Sequence, residues 1–255
     1  MRRALLAVSV MSRLSVIGRQ PRVVVRNATR RGEYAAPMCG RDSQFFTWRE
    51  IHAFSGGLAV SAPAQDPEPN YNRAPTQAGW VLVADGDGAV ATEMRWGLLP
   101  SWAKDTRLAY STINARCETA ATKPVFRSAW KQRRGLVPSS GYYEWRMEDG
   151  AKQPYFIHAR NSPVLFFAGL WEQRGELLTY SIVTRDADPA IAHLHNRMPL
   201  MLSPDLLGTW IGGSPEDAAQ IALSAATPEL DWHAVDPAVG NVRSSGVQLI
   251  RPRSG

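Results

Sequence analysis

The middle of the chain consists of short runs of β-branched and aromatic residues, and these runs limit the possible folds more than any other feature of the sequence. They are separated by turns that contain glycine, aspartate or lysine, and they cover residues 135–146, 154–159, 164–172 and 177–184. Runs of this length and composition are typical of β-strands. Residues 80–84 and 89–98 are predicted to form a hairpin, because Asp85-Gly86-Asp87-Gly88 between them is a strong turn sequence.

Helices are predicted around these strands. Thr47 and Glu50 have the spacing of a capping box, and their helix is expected to stop at Gly56 and Gly57. Other helices are predicted at residues 124–132, from Asp188-Pro189 to about His195, and after Ser203-Pro204 and Ser214-Pro215. Residues 66–75 indicate an irregular loop, and residues 232–235 a last strand. The predicted fold is α+β, a single domain with a mostly antiparallel, curved or barrel-like sheet and peripheral helices.

The basic residues are concentrated at the beginning of the chain. Of its 255 residues, the first 37 include eight arginines and one acidic residue, whereas the rest include 21 basic and 22 acidic residues. The net charge of +6 therefore does not indicate that the folded part binds nucleic acid. We predict one domain over residues 38–255, preceded by a basic, disordered extension over residues 1–37. That extension is either a leader or the product of a start site assigned too far upstream.

Two cysteines in unrelated contexts, Cys39 and Cys117, predict neither a disulfide framework nor a metal site, and no cofactor is expected. No apolar run approaches the ~18 residues that a membrane helix needs. The expected location is the cytoplasm, which keeps thiols reduced.

Cys39 directly follows Met38, and this pair suggests a specific chemistry. If processing made Cys39 the first residue, it would carry an α-amine with a pKa of roughly 7.7–8.0 and a thiol with a pKa of about 8.5. An aldehyde can form a Schiff base with such an amine, and the thiol can then close a five-membered thiazolidine. The alternative is that Met38 is an ordinary internal residue and Cys39 a small packing residue.

Four clusters place polar residues where a strand-rich core would not require them. They are Cys39-Gly40-Arg41, Asn114-Ala115-Arg116, Tyr142-Tyr143-Glu144-Trp145 and His195-Asn196-Arg197. Each also has a structural explanation: Glu144 as the outward residue of a strand, His195 as a helix C-terminal residue, and Asn114 and Arg116 as turn or surface residues.

Taken in order, these clusters resemble the SRAP family, whose members are called SOS response-associated peptidases or abasic-site processing proteins. Further motifs that carry the resemblance are Tyr71-Asn72-Arg73-Ala74-Pro75, Arg95-Trp96-Gly97 followed by Pro100-Ser101-Trp102, Met198-Pro199 and Val239-Gly240-Asn241. The resemblance extends from Met38 to about residue 250. It implies a protein that binds single-stranded DNA at an abasic site and links its N-terminal cysteine to the ring-opened sugar.

By this resemblance the catalytic residues would be Cys39, Asn114, Glu144 and His195. Cys39 would be the nucleophile, Asn114 would position the sugar, and Glu144 and His195 would transfer protons. DNA would be contacted by Arg41, Asn72, Arg73, Pro75, Trp102, Arg116 and Arg197. The expected partner is single-stranded DNA with abasic sites, bound by a monomer near the nucleoid, with replication-fork proteins as further partners.

One departure from the family pattern bears on this chemistry. Family members begin at Met-Cys-Gly-Arg, whereas 37 residues precede that motif here. An amide-bonded Cys39 has no free amine and cannot form a thiazolidine, so translation from Met38 or removal of the extension is expected. Two other readings stay open: a cysteine peptidase with His195 as the base, acting chiefly in self-processing, and a non-covalent reader of modified or single-stranded DNA.

Overall fold

The computed structural model describes residues 40–104 and 112–253. The predictions for residues 1–37 and for Cys39 therefore lie outside the described residues. The described strands, numbered along the chain, are β1 (Asp42–Gln44), β2 (Val60–Ser61), β3 (Asn70–Arg73), β4 (Ala78–Asp85), β5 (Gly88–Trp96), β6 (Asn114–Arg116), β7 (Arg134–Ser139), β8 (Gly141–Glu148), β9 (Ala151–Ala159), β10 (Leu165–Arg174), β11 (Leu177–Asp186), β12 (Arg197–Pro199) and β13 (Leu230–Ala234). The α-helices are α1 (Trp48–Phe54), α2 (Cys117–Ala120), α3 (Arg127–Gln132), α4 (Leu207–Gly212) and α5 (Pro215–Ser224).

Five strands close into a barrel. β4 pairs with β5 and β7, β7 with β10, β10 with β11, and β11 returns to β5. All these pairings are antiparallel except the closing one, in which Thr179 and Tyr180 of β11 run parallel to Arg95 and Trp96 of β5. β2, β6 and β12 extend this sheet. The prediction of a mostly antiparallel, barrel-like sheet with peripheral helices is thus confirmed.

A second, antiparallel sheet has the strand order β13-β9-β8-β1-β3. The chain passes from the barrel to this sheet between β7 and β8, so the single strand predicted over residues 135–146 is wrong. Gly141 begins β8 at a point of close approach: a Cβ atom there would lie 2.3 Å from the Phe156 ring and 2.8 Å from the Ile157 carbonyl oxygen. Only glycine leaves room for β8 to pass this close to β9.

Apolar side chains from both sheets share one core cluster. Tyr142 and Ile157 of the second sheet belong to it together with Phe167 and Ile182 of the barrel, and the Tyr142 and Phe167 rings meet edge to face at 5.8 Å. A separate cluster joins the helices to the barrel, with Trp130 of α3 and Trp210 of α4 at its centre.

Several local predictions are confirmed. The Thr47 side chain accepts a hydrogen bond from the Glu50 backbone N–H, and the Glu50 side chain accepts one from the Thr47 N–H, as in a capping box. Ser214 caps α5 in the same manner, Ser203-Pro204 precedes a 3-10 turn that leads into α4, and the hairpin around residues 85–88 joins β4 and β5.

Two local predictions are wrong. Residues 188–195 form turns rather than a helix, because Ala187 N–H donates to the Asn196 carbonyl at 3.0 Å and this bond closes the segment into a short loop. The predicted loop over residues 66–75 contains β3, which pairs with β1 through Arg73 and Asp42.

None of the helices that the structure describes has the length and apolar character of a membrane span.

Candidate functional site

The first described residues of the chain lie alongside β8. Asp42 pairs with Tyr142, and the Tyr143 N–H donates to the Arg41 carbonyl at 3.0 Å. The ladder consists of the pairs Asp42–Tyr142 and Ser43–Gly141, and the same antiparallel register, extended beyond β1, would put Gly40 opposite Glu144. Glu144 is only 4% exposed, so it faces inward and is not the outward residue of an alternating strand. Glu144 is thus a buried carboxyl group on β8, two residues beyond the observed pair of Asp42 with Tyr142.

Arg41 fixes this part of the chain from the inside. Its guanidinium donates to Asn72 Oδ1 and to the Val239 carbonyl, both at 2.6 Å, and lies 5.9 Å from the centre of the Trp145 ring. Burial lowers the pKa of Arg41 from its ordinary value, although the nearby Tyr143 and Asp42 oppose this shift. Asn72, which is also buried, donates to the carbonyls of Asn241 and Ser244 at 3.0 and 2.9 Å. Arg41 and Asn72 therefore connect neighbouring chain segments and contribute little accessible surface themselves.

Arg73 lies entirely inside the protein. It is 1% exposed, forms a two-point ion pair with Asp42 (Nε to Oδ1 at 2.7 Å), and lies 5.8 Å from the ring centres of both Trp96 and Tyr180. Its guanidinium is not accessible to a DNA phosphate in this structure, and its role is to hold β3 against β1. The prediction that Arg73 contacts DNA is corrected accordingly. The neighbouring Pro75 is half-buried.

A second group of polar residues lies where β6 and β12 pair with β11. Asn114 is paired with Ile182, Arg116 with Thr184, and Arg197 with Asp186. Asn114 is half-buried, and its neighbour Ile113 belongs to the core between the two sheets. The two motifs that contain Asn114 and Arg116, and His195 and Arg197, are thus brought to one part of the barrel.

Arg197 is the centre of this second group and is 7% exposed. It donates to both carboxylate oxygens of Glu118, at 2.6 and 3.0 Å, to Asp186 at 2.5 Å and to the Thr184 carbonyl at 2.8 Å. The hydrogen bond from Arg197 lowers the pKa of Glu118 below its ordinary value. Glu118 lies two residues after the end of β6. The hydrogen bonds of Arg197 therefore join the segment after β6 to the segment that carries His195.

His195 is half-buried, and its Nδ1 accepts a hydrogen bond from the Arg197 backbone N–H at 3.1 Å. Nδ1 also lies 3.3 Å from the Arg197 carbonyl oxygen. A neutral His195 therefore either accepts from the Arg197 N–H and carries its hydrogen on Nε2, or donates to the Arg197 carbonyl and carries its hydrogen on Nδ1. In the first tautomer, Nε2 is the ring atom that can pass a proton to a substrate.

Two of the predicted DNA contacts are freely accessible. Arg116 is exposed, and Trp102 is 66% exposed on the loop that follows β5. Cys117, in contrast, is half-buried, and burial together with Glu118 raises the pKa of its thiol. In residues 40–104 and 112–253, no group of three or more His, Cys, Asp and Glu residues is arranged to hold a metal ion.

The predicted site residues therefore fall into two groups. Arg41, Asn72 and Glu144 lie around β1, β3 and β8, and Asn114, Arg116, His195 and Arg197 lie around β6, β11 and β12. Sequence reasoning gave no role to the acidic partners Asp42, Glu118 and Asp186, although Glu118-Thr119 is part of the motif that contains Asn114 and Arg116. Asp42 directly follows Arg41, and a carboxylate next to a motif that contains arginine was the available indication.

Comparisons with known proteins agree on the family of this chain. The family model described as "SOS response associated peptidase (SRAP)" matches residues 38–242. The abasic site processing protein YedK of Escherichia coli (strain K12) is 34% identical over 225 residues, which cover 84% of this chain and 100% of that protein. The abasic site processing protein YoaM of Bacillus subtilis (strain 168) is 30% identical over 84% of this chain and 97% of its own length.

Solved structures show the same fold. A crystal structure of a protein from Bacteroides thetaiotaomicron superposes with a TM-score of 0.73 at 22% identity, covering 85% of this chain and 100% of that one. A phage-related protein from Bordetella bronchiseptica gives a TM-score of 0.63 at 27% identity, over 77% of this chain and 94% of its own. With its motifs, its fold and these relatives in agreement, the chain belongs to the SOS response associated peptidase (SRAP) family.

Proposed function

We propose that this protein processes abasic sites in single-stranded DNA and that Cys39, once it is the first residue, forms a covalent crosslink with the ring-opened sugar. Relatives of similar length are named for abasic site processing, and they match almost the whole of residues 38–255. Damage-related DNA is therefore the substrate class that the comparisons favour.

The observation that carries the proposal is the register of β1 on β8. Extended by two residues beyond the observed Asp42–Tyr142 pair, this register would bring Gly40 opposite the buried Glu144. Consecutive Cα atoms are about 3.8 Å apart, so this register would also bring the residue before Gly40 close to Glu144. A free α-amine at Cys39 would begin its reaction beside a carboxyl group that is shielded from solvent.

The proposed reaction needs no oxidant or cofactor. The amine nitrogen attacks the aldehyde carbon of the open sugar, and water leaves as the imine forms. The sulfur then adds to the imine carbon while the nitrogen gains a proton, which closes the thiazolidine. Glu144 would accept and return protons at the amine and thiol, and His195 would donate from Nε2 during ring opening and imine formation. Asn114 would orient the sugar through its amide, which does not titrate.

DNA binding would use the accessible residues of both groups. Arg116 would contact a phosphate, and Trp102 and Pro75 would stack on bases or wedge beside the lesion. Arg41, Asn72 and Arg197 were also predicted to contact DNA, but they are buried and bound to internal partners, so they would instead hold the surfaces that carry these contacts. Sequence preference should be weak, because backbone contacts and stacking do not read base edges. One chain per lesion suffices, in keeping with a monomer.

The proposal is tested with protein that begins at Cys39, incubated with single-stranded DNA that contains one abasic site and separated on a denaturing gel. We expect a shifted, heat-stable band that is lost in Cys39→Ala. Cys117→Ala is the matched control and should keep the band, since Cys117 is the only other cysteine. A band that survives Cys39→Ala, or that needs Cys117, would refute the assignment.

The full 255-residue chain provides the complementary test. Its Cys39 nitrogen is an amide, so we expect no crosslink until residues 1–38 are removed. If the chain releases that segment unaided and Cys39→Ala stops the release, the peptidase reading would hold for self-processing. If the intact chain crosslinks without cleavage, the thiazolidine chemistry would be wrong.

A further inference from the structure

A cavity of about 360 Å³ is lined in part by Asn72, which is hydrogen-bonded to Arg41. The reaction proposed above does not involve this cavity. One wall is β3 with the residues just before it, and the other is the segment 242–246. Binding pockets for small ligands typically begin at about 300 Å³, so this volume suits one nucleotide-sized group rather than a longer piece of DNA.

The wall formed by residues 242–246 is tied to the beginning of the folded chain. Asn72 binds the carbonyls of Asn241 and Ser244, and Arg41 binds both Asn72 and the carbonyl of Val239. Arg41 is two residues from Cys39. One wall of the cavity and the beginning of the described chain, at Arg41, are therefore held by the same hydrogen-bond network.

Arg243 supplies a positive charge at the edge of the cavity that could bind an anionic ligand. It is exposed, and among the residues that the structure describes its guanidinium has no ion-pair or hydrogen-bond partner. Only its backbone N–H is engaged, with Asn241 Oδ1 at 3.0 Å. Arg41, Arg73 and Arg197, in contrast, are all bound to internal partners.

The rest of the lining suits the other parts of a nucleotide. Val242 and Val247, on and beside this segment, are 51% and 41% exposed and offer apolar contact to a sugar or a base. Asn70 and Gln77 line the cavity with amide groups, and Glu68 lines it with a carboxylate. Glu68 would repel a phosphate but can accept hydrogen bonds from the amino group of a base, so phosphate is expected on the Arg243 side.

We propose that this cavity binds one nucleotide of the DNA strand next to the abasic site, with Arg243 on its phosphate. The inference rests on the proposed function and extends it: it assigns a subsite for the flanking strand on one side of the lesion. Arg243 becomes a DNA-binding residue that positions the strand and takes no part in the covalent step.

The test uses the Cys39→Ala form of the protein that begins at residue 39, so that only non-covalent binding is measured. Its ligands are single-stranded oligonucleotides with a tetrahydrofuran abasic analogue that keeps nucleotides on both sides, on the 5′ side only or on the 3′ side only. We expect Arg243→Ala to weaken binding about tenfold for the two-sided ligand and for one single-sided ligand, and to leave the other unchanged. The slope of log K against log salt should fall in magnitude by about 0.7, as for one lost phosphate contact.

Arg127→Ala, which removes an exposed arginine on α3, is the charge-matched control and should not distinguish the two single-sided ligands. Ser245→Trp, which fills the cavity without changing charge, should weaken the same ligand as Arg243→Ala but keep the salt slope. Equal effects of Arg243→Ala on both single-sided ligands, or no effect, would overturn the subsite.

Failure of the subsite can be told from failure of the proposed function. With Cys39 intact, the unaltered protein and the control Arg127→Ala should both crosslink abasic DNA, whether or not the subsite exists. Normal crosslinking with no side-specific loss of affinity would refute only the subsite. Absence of both binding and crosslinking in the unaltered protein would refute both proposals.

Discussion

At the scale of single residues, the Asp42–Arg73 pair is the interaction on which the region around β1 and β3 most depends. Both side chains are 1% exposed. Burial raises the pKa of Asp42, while the contact with Arg73 opposes that rise. Removing one member of such a pair leaves a buried charge without its partner, whereas replacing both by apolar residues leaves none.

We therefore predict that Arg73→Met lowers the free energy of unfolding by about 3–5 kcal/mol, and that Asp42→Leu combined with Arg73→Met restores most of that loss. Urea unfolding of the two variants and the unaltered protein measures both values. If the double variant is as unstable as the single one, the pair contributes specific geometry that apolar packing cannot replace, and the argument from unpaired charge is wrong.

Glu118 supports a prediction about pH. Its bond to Arg197 lowers its pKa in the folded protein, so this carboxylate stabilises the fold above the pKa of the unfolded chain, and that contribution is lost as the pH falls through the folded-state pKa. The Glu118 side chain is 47% exposed, and solvent screening limits the effect to roughly 0.5–1 kcal/mol.

Glu118→Gln should therefore lower stability at pH 7 by about that amount, and the difference from the unaltered protein should shrink towards zero in acid. Denaturant curves at a series of pH values measure it. Glu176→Gln, in the exposed turn between β10 and β11, is the control and should cost little at any pH. A Glu118→Gln deficit that stays constant down to strongly acidic pH would show that lost packing, not charge, is responsible.

At the scale of elements, the crossing from barrel to second sheet depends on Gly141. A Cβ at this position would meet the Ile157 carbonyl at 2.8 Å, and a backbone group cannot move aside as a flexible side chain can. Gly141→Ala should lower the free energy of unfolding by roughly 2 kcal/mol or more and slow crosslinking, since β8 carries Glu144. Gly208→Ala in α4 is the control: it meets no atom within 4 Å and should be neutral or stabilising. Equal effects of the two substitutions would contradict this account.

Elements with local causes could be predicted from the sequence. The capping box at Thr47, the helix start at Ser214-Pro215 and the turn at residues 85–88 each depend on neighbouring residues, and each was found as predicted. The break between β7 and β8 and the closure of the barrel by β5 and β11 depend on contacts between residues far apart in sequence, and nothing local indicates them.

The same distinction holds for the site. Motif positions identified the polar residues, but Arg73 looks no different in sequence from an arginine that faces DNA. Its partner Asp42 lies 31 residues away and its ring neighbours lie on two other strands, so its burial appears only in the folded chain. Arg243 was missed for the opposite reason: its value comes from the cavity that it lines.

At the scale of the whole molecule, charge and proposed chemistry are separated along the chain. Residues 1–37 carry eight arginines and one glutamate, and the remainder carries one more acidic than basic residue. General attraction to DNA should therefore come from the first 37 residues, whereas recognition of the lesion should come from a few local groups such as Arg116 and Arg243.

This separation predicts that two forms of the protein will rank in opposite orders in two assays. The 255-residue chain should bind undamaged single-stranded DNA more tightly at low salt than the form that begins at Cys39, and with a steeper salt dependence, because each phosphate neutralised adds about 0.7 to the slope for single strands. In crosslinking to abasic DNA the order should reverse, since only the shorter form has a free amine on Cys39. Titrations at several salt concentrations and denaturing gels on the same preparations measure both. Equal salt slopes would show that residues 1–37 do not contact DNA, and a full chain that leads in both assays would show that binding, rather than the free amine, limits the reaction.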